Sequence, residues 1–507
     1  MTLFMDAPSM GTLAIRACRQ YKDKIAFVDE EGQWSYSQLE DDIYRCSSFL
    51  RELGVEKGDV LAQLANNRFA SFVIQITCYC MGVQYMGLHA TASVEVHEQI
   101  LNGARCNRVI INANDFPEAA EALATAGFDV FTVDSDTRPW KNGAAHRVEV
   151  ESNGDDGARM AFTGGTTGLP KPVVLPHRSL VTNTAVALAH LDWPEQPRMF
   201  LCTPISHGAG SYILPVLVQG GTVILANRLD AHQFIDDVVA GDINCTFLVP
   251  TLIRRLIDDA GNRMAEMRDK LQLLVYGAAP ASVRDLEFIL KECGQCLQQV
   301  YGQTEAPNMV TALSKEDHVI GSKLLHTIGR PTLFASVEIR DEQGNILTEP
   351  DTVGELYVGG PLVMDGYRNP ETGELFGLES GWLPTGDLAS IDEDGYVSIR
   401  GRSKEMIITG GFNVYPVQIE RVLEKCEGVE EAVVVGVPDD YWGEKVTACI
   451  VGELTESRIS DMKGAVRESL GLEWVPKSFM QVDKIPQTAL GKADRKQLSL
   501  MFSQDDK

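Results

Sequence analysis

Basic side chains are scarce in this chain. Its 507 residues hold 45 Lys and Arg against 71 Asp and Glu, a formal charge of −26, and such a field repels nucleic acid and anionic lipid. Neither is expected as a partner. Long apolar runs are missing too: the uncharged stretch Ser71 to Ala90 is broken by Gln75, Thr77, Gln84 and His89. That pattern predicts a buried helix followed by a strand, not a membrane span. The first twenty residues lack the basic start and apolar run of an export signal, so a cytoplasmic location is expected. No disulfide framework shows either, since eleven cysteines, an odd number, are scattered along the chain and suit reduced thiols. Cys293 and Cys296, in CGQC, follow an amphipathic helical stretch without a thioredoxin-like pattern around them, and a structural role is expected for both.

What is there is an ordinary globular composition, 44% apolar and 23% charged, in a chain long enough for two to four structural units. Arg159 to Phe162 and Val173 to Leu175 are β-prone runs flanking a loop of Gly, Thr, Pro and one lysine. Gly164, Gly165 and Gly168 let the backbone approach an anion. Thr163, Thr166 and Thr167 add hydroxyl donors and Lys171 a full charge, so the loop suits an oligophosphate. A P-loop reading fails, because Pro170 precedes Lys171, Pro172 follows it, and a strand rather than a helix comes next.

Residues 1 to about 150 alternate helix and strand patterns. Met10 to Tyr21 and Ser35 to Leu53 read as helices; Ile25 to Asp29, Val60 to Leu64, Val83 to Leu88, Arg108 to Ile111 and Val130 to Val133 read as strands, implying a mostly parallel, helix-covered sheet. The alternation resumes after the loop. It passes through the turn Pro204 to Gly210, the strand Leu273 to Tyr276 with the turn Gly277-Ala278-Ala279-Pro280, and the strand Cys296 to Val300. Turns at strand carboxyl ends are where open α/β sheets bind ligands. Val337 to Arg400 reads as a small β unit, and the residues after Gly401-Arg402 as a separate α+β domain. The fold class expected is therefore α/β: a large N-terminal part, 1–401, with helix-covered sheets and a small β unit, and a smaller α+β domain, 402–507.

Five motifs stand in fixed order: TGGTTGLPK (163 to 171), YGQTE (301 to 305), TGD (385 to 387), GR (401 to 402) and GK (491 to 492). Together they resemble the adenylate-forming superfamily of acyl-CoA synthetases, nonribosomal-peptide adenylation domains and firefly luciferase, over nearly the whole chain. The resemblance implies ATP-dependent activation of a carboxylic acid to an acyl-adenylate, then transfer to CoA, with Mg²⁺ required. It assigns the β and γ phosphates to the 163 to 171 loop, the α-phosphate to Thr304, and Mg²⁺ to Glu305, whose carboxylate oxygens suit a hard cation. Tyr301 would stack on adenine, with Gly302, Gln303, Gly277, Ala278 and Ala279 around the nucleotide. Asp387 and Arg402 would take the ribose. Lys492 would bridge the reacting carboxylate and the α-phosphate, carried by a mobile C-terminal domain that pivots at Lys404. His207, Gly208, Ala209, Tyr212, Thr251 and Gly277 would line the acyl site. None of these places a charge for a second ionic group, so an apolar tail is expected, fatty or aromatic, and enlarging Gly277 should exclude bulky acids. Gly410, Gly411, Phe412, Trp442 and Lys477 would meet CoA, although a tryptophan is as often simply core.

The chain departs from the family pattern in places. Gly164 stands where relatives usually carry Ser, Pro172 where they carry Gly, and Gln487 where lysine is common; the first two remove possible donors to phosphate. Before the last strand, Glu473 to Lys477 offers Lys477 as its one cation for the CoA nucleotide. Two other readings stay open. One is a stand-alone adenylating enzyme that loads a separate carrier protein, and the other is a nucleotide-binding protein without chemistry. A homodimer is compatible with all of them.

Overall fold

The structure is a computed structural model describing residues 8–133, 138–163, 171–439, 441–486 and 493–505. Six expected site residues lie outside the described residues: Gly164, Gly165, Thr166, Thr167, Gly168 and Lys492. The chain forms two compact units. One comprises residues 1–337 and 358–383, the other 338–357 and 384–507.

The first unit is built on two large sheets. Among the described residues one has nine strands, parallel through its centre from Leu297–Tyr301 across Leu273–Tyr276, Cys245–Leu248, Arg198–Leu201 and Thr222–Leu225 to Ile25–Asp29. The other has eight, and its centre sets Gly157–Thr163 beside Gln84–Gly87 on one side and Lys171–Pro176 on the other. Local chemistry explains where the covering helices start and stop. Tyr36–Glu52 opens on a capping box, in which Ser35 Oγ accepts from Gln38 N at 3.2 Å and Gln38 Oε1 accepts from Ser35 N at 2.7 Å, satisfying two amides the helix cannot. Phe69–Met81 is buried all round, ends on left-handed Gly82, and is followed by the strand Gln84–Gly87, as the uncharged stretch predicts.

Phe234, Leu256, Leu274 and Leu286 centre one core on the larger sheet; Leu64, Val109, Met160 and Val174 centre another on the second. All eleven cysteines are free, and burial pushes the Cys293 and Cys296 thiols up, so the CGQC pair is structural. Among the described residues no helix is long and apolar enough to cross a membrane.

Two buried histidines tie the first unit together while uncharged. His318 donates from Nδ1 to Ser314 O at 2.6 Å and accepts from Tyr276 Oη at 2.9 Å on Nε2. His177 accepts from Met10 N at 3.2 Å. Burial lowers both to about 4, below the ordinary value of about 6.5. The unfolded chain therefore binds more protons between these limits, and stability falls as pH drops from about 6.5 to 4, by up to ~2.7 kcal/mol per pH unit for the pair. Denaturant titrations at pH 7, 5.5 and 4.5 check this; a flat stability over that range would contradict it.

In the second unit the sheet containing Val429–Asp439 and Gly443–Gly452 is padded on both faces. Ala432, Val434, Val446, Ala448 and Ile450 face one core with Ile419, Leu423 and Met462, while Val433, Val435, Val437 and Cys449 face another with Leu498 and Phe502. The period of two along each strand makes this sorting automatic.

Candidate active site

The site residues of the first unit gather at strand ends. Thr163 closes one strand of an antiparallel pair and Lys171 opens the other, directly opposite in register. The sequence-expected clamp between two strands is thus a hairpin whose tip lies outside the described residues. Lys171 is exposed, with its Nζ 5.0 Å above the Tyr367 ring and 6.0 Å from that of Phe376, a cation–π arrangement. Tyr367 belongs to Gly366–Arg368, the strand paired to Lys171–Pro176, and its hydroxyl donates to Glu305 Oε1 at 2.6 Å. Burial, then the Glu305 carboxylate, raise the tyrosine's pKa, so the hydroxyl keeps its proton and donates.

Glu305 is buried, and its carbonyl accepts from Met364 N at 2.8 Å. One buried carboxylate whose Oε2 has no hydrogen-bond partner among the described residues fits Mg²⁺, which takes one or two protein carboxylates and completes its shell with phosphate and water. Among the described residues no cluster of three His, Cys, Asp or Glu could hold a metal alone.

Other residues of the site lie at strand ends of the nine-stranded sheet. Tyr301 ends its strand, and the turn Gly302 to Ala306 closes with Gln303 N donating to Ala306 O at 2.9 Å; Thr304 within it is partly exposed. Asn308 then donates from Nδ2 to Gly208 O at 2.9 Å, tying this loop to the His207 turn. Ala278 adopts φ 68°, a conformation unfavourable for a residue with a Cβ and typical of ligand-contacting loops. Ala279 beside it is exposed. Gly277 is another matter. A Cβ there would lie 2.3 Å from Val300 O, in the neighbouring strand rather than in open space, which corrects the expectation that enlarging it trims the acid pocket. Gly277→Ala should instead lower stability by roughly 1–3 kcal/mol, read as a shifted denaturation midpoint, with the acid profile unchanged.

His207 sits at the start of a small-residue turn with Ser206 Oγ 2.8 Å from its Nδ1 and the His89 ring edge-on at 4.8 Å. Burial first, then the charges of Arg159 and His89, lower its pKa to about 3, so the imidazole is neutral at working pH. Arg159 was not singled out from the sequence, although an arginine inside a β-prone apolar run is a visible signal. Its Nη2 donates to Ser206 O, and its buried Nε has no partner among the described residues. Ala209 and Tyr212 are buried, Tyr212 stacked on Phe247 at 4.9 Å. Thr251 is exposed on the first turn of Pro250–Ala260 and shares no hydrogen bond with the others among the described residues.

The second unit holds the rest. Asp387 and Arg402 stand opposite each other on adjacent strands, with Arg402 Nε 2.9 Å from Asp387 Oδ1. Lys404 lies exposed in the short turn Ser403–Glu405. Gly410 N donates to Trp442 O at 2.8 Å, and Lys477 Nζ sits 4.8 Å over the Trp442 ring. Gly411 and Phe412 are exposed beside them. Trp442 is only partly buried, so it is not a core residue alone.

Residues 15–368 match the AMP-binding enzyme family, and residues 418–492 match the AMP-binding enzyme C-terminal domain. The chain belongs to this family. Within it several relatives are acid:CoA ligases, and one, of Streptomyces coeruleorubidus, is a fatty acid–acyl-carrier-protein ligase, 30% identical over 94% of this chain and 93% of its own length. A medium/long-chain-fatty-acid–CoA ligase, FadD8 of Mycobacterium tuberculosis, is 33% identical over 97% of this chain and 90% of its own length. A feruloyl-CoA synthase of an Amycolatopsis species is 31% identical over 95% and 97%. The o-succinylbenzoate CoA synthetase MenE of Bacillus subtilis, solved with its acyl-adenylate intermediate, superposes with TM-score 0.85 at 26% identity, covering 98% of both chains. Solved with ATP and magnesium ion, it gives 0.83 at 26%, covering 96% of this chain and 98% of that one. The superfamily and the α/β fold class expected from the motifs are therefore borne out, and this AMP-binding enzyme is an AMP-forming acid:CoA ligase by family.

Proposed function

We propose that the protein activates a fatty or aromatic carboxylic acid with ATP and passes the acyl group to CoA. The observation that carries this reading is the line Lys171, Tyr367, Glu305, which joins a cation at the mouth of the phosphate hairpin to a carboxylate fit for Mg²⁺. In the first half-reaction a carboxylate oxygen of the acid attacks the α-phosphorus and pyrophosphate leaves. Two anions meet in this step, so catalysis is mostly positioning and charge neutralisation. Thr163 to Lys171 grip the departing diphosphate, Thr304 contacts the α-phosphate, and Lys492 supplies the bridging ammonium. Bound Mg²⁺ would neutralise phosphate charge beside Glu305. Tyr301 and the Gly277 to Ala279 turn take the adenine, and Asp387 with Arg402 the ribose. Neutral His207, with Gly208, Ala209, Tyr212 and Thr251, lines the acyl site without repelling or trapping the acid.

In the second half-reaction the CoA sulfur attacks the acyl carbon, the thiol proton is lost, and AMP departs. The C-terminal domain, residues 402–507, pivots at Lys404 between the two steps, as hinge residues allow, and Gly410, Gly411, Phe412, Trp442 and Lys477 receive CoA. Eleven free thiols suit a reducing cytoplasm.

A panel of aliphatic and aromatic acids, assayed for AMP release with and without CoA, tests the proposal. Acid-dependent turnover that consumes CoA thiol is expected. ATP binding without acid-dependent pyrophosphate exchange would overturn it, and release that depends on a carrier protein instead of CoA would move the enzyme to the carrier-loading class.

A further inference from the structure

Tyr367 belongs to none of the motifs read from the sequence, yet it touches both ends of the phosphate machinery. Its hydroxyl occupies Oε1 of Glu305 at 2.6 Å, and its ring carries Lys171 Nζ at 5.0 Å. The ring itself has little freedom. It leans on Phe376 at 5.6 Å between centroids, and Gly377 approaches so closely that a Cβ there would meet it at 2.3 Å. Its backbone is fixed by pairing with Val173, two residues beyond Lys171. The Glu305 backbone is fixed separately by Met364 N. A rigid aromatic thus spans a carboxylate and an ammonium, and the contact to Glu305 bridges 62 positions of sequence.

We propose that Tyr367 is a positioning residue: it presents Glu305 through one oxygen to the metal of Mg·ATP and sets the distance from that metal to Lys171. The inference rests on the ligase reading above. By occupying Oε1, the hydroxyl leaves the second oxygen for the cation and prevents the carboxylate from rotating away. A flexible carboxylate would have to be ordered at each binding event.

Two variants separate the two contacts. Tyr367→Phe keeps the ring under Lys171 and removes the hydroxyl from Glu305. Tyr367→Leu removes both. Equilibrium binding of ATP by calorimetry, with acid and CoA omitted, should show Tyr367→Phe weakening Mg·ATP about tenfold while metal-free ATP in EDTA changes less than about twofold; a hydrogen bond to a charged group is worth an effect of this order. Tyr367→Leu should weaken both forms. In turnover, Tyr367→Phe should raise the Mg²⁺ concentration for half-maximal pyrophosphate release and leave thioester formation from preformed adenylate unchanged.

Equal weakening of Mg·ATP and metal-free ATP by Tyr367→Phe would mean a merely structural residue and overturn the proposal, as would no change in either. Wild-type ATP binding indifferent to Mg²⁺ would overturn it too. Wild-type protein that binds Mg·ATP normally but shows no acid-dependent pyrophosphate release would instead sink the ligase reading, so the two failures are distinguishable.

Discussion

Lys492→Ala should slow acyl-adenylate formation by ~10²–10³-fold or more, the scale on which a charge placed at a transition-state oxyanion acts, while transfer from preformed adenylate to CoA stays within a few-fold. The reasoning is chemical. Only the first half-reaction brings a carboxylate against a phosphate, and only there does an ammonium between them relieve a repulsion that grows toward the transition state. Single-turnover measurement of each half-reaction checks it. Comparable losses in both halves would remove the lysine from the role proposed for it.

Arg495→Met should have the largest effect on stability. Arg495 starts the helix Arg495–Asp505, three residues after Lys492. Its guanidinium binds Glu420 at 2.6 and 3.2 Å, Val434 O at 2.7 Å and Glu405 at 3.1 Å. One side chain therefore ties together the start of the last helix, the helix Pro416–Leu423, a central strand and the turn that contains Lys404. Removing it takes the paired guanidinium away from two carboxylates. Breaking an enclosed pair costs about 3–5 kcal/mol; with the side chain 22% exposed, a loss of roughly 2–4 kcal/mol is expected. Amide exchange in Val429–Asp439 and Gly443–Gly452 should speed up by about one to three powers of ten. Arg495→Lys should rescue little, because an ammonium cannot reproduce the forked contact. Unchanged protection would mean the network is dispensable.

How much of this was legible depended on whether the signal was local. Ile25–Asp29, Val60–Leu64 and Leu273–Tyr276 stand where their β-prone runs put them, and the helix from Tyr36 starts on its Ser35 cap. These are decided by neighbours in the chain. Sheet membership is not: Ile25–Asp29 pairs with Thr222–Leu225 almost two hundred residues away, and no period in the sequence encodes that choice. The same divide runs through the site. Glu305 and Lys171 stood out through their motifs, whereas Tyr367 acquires its role only when Gly366–Arg368 is laid against Lys171–Pro176. Gly277 was misjudged because the direction of its missing side chain, toward Val300 O, is a property of the strand pair and not of the turn.

The double padding of the C-terminal sheet bears on how a two-step ligase can afford to move. With oil on both sides of its own strands, this unit carries its whole interior with it, like a sealed capsule. Under the pivot proposed above, that interior would stay dry. The choice between poses would then fall to contacts made outside the capsule, bound substrates among them.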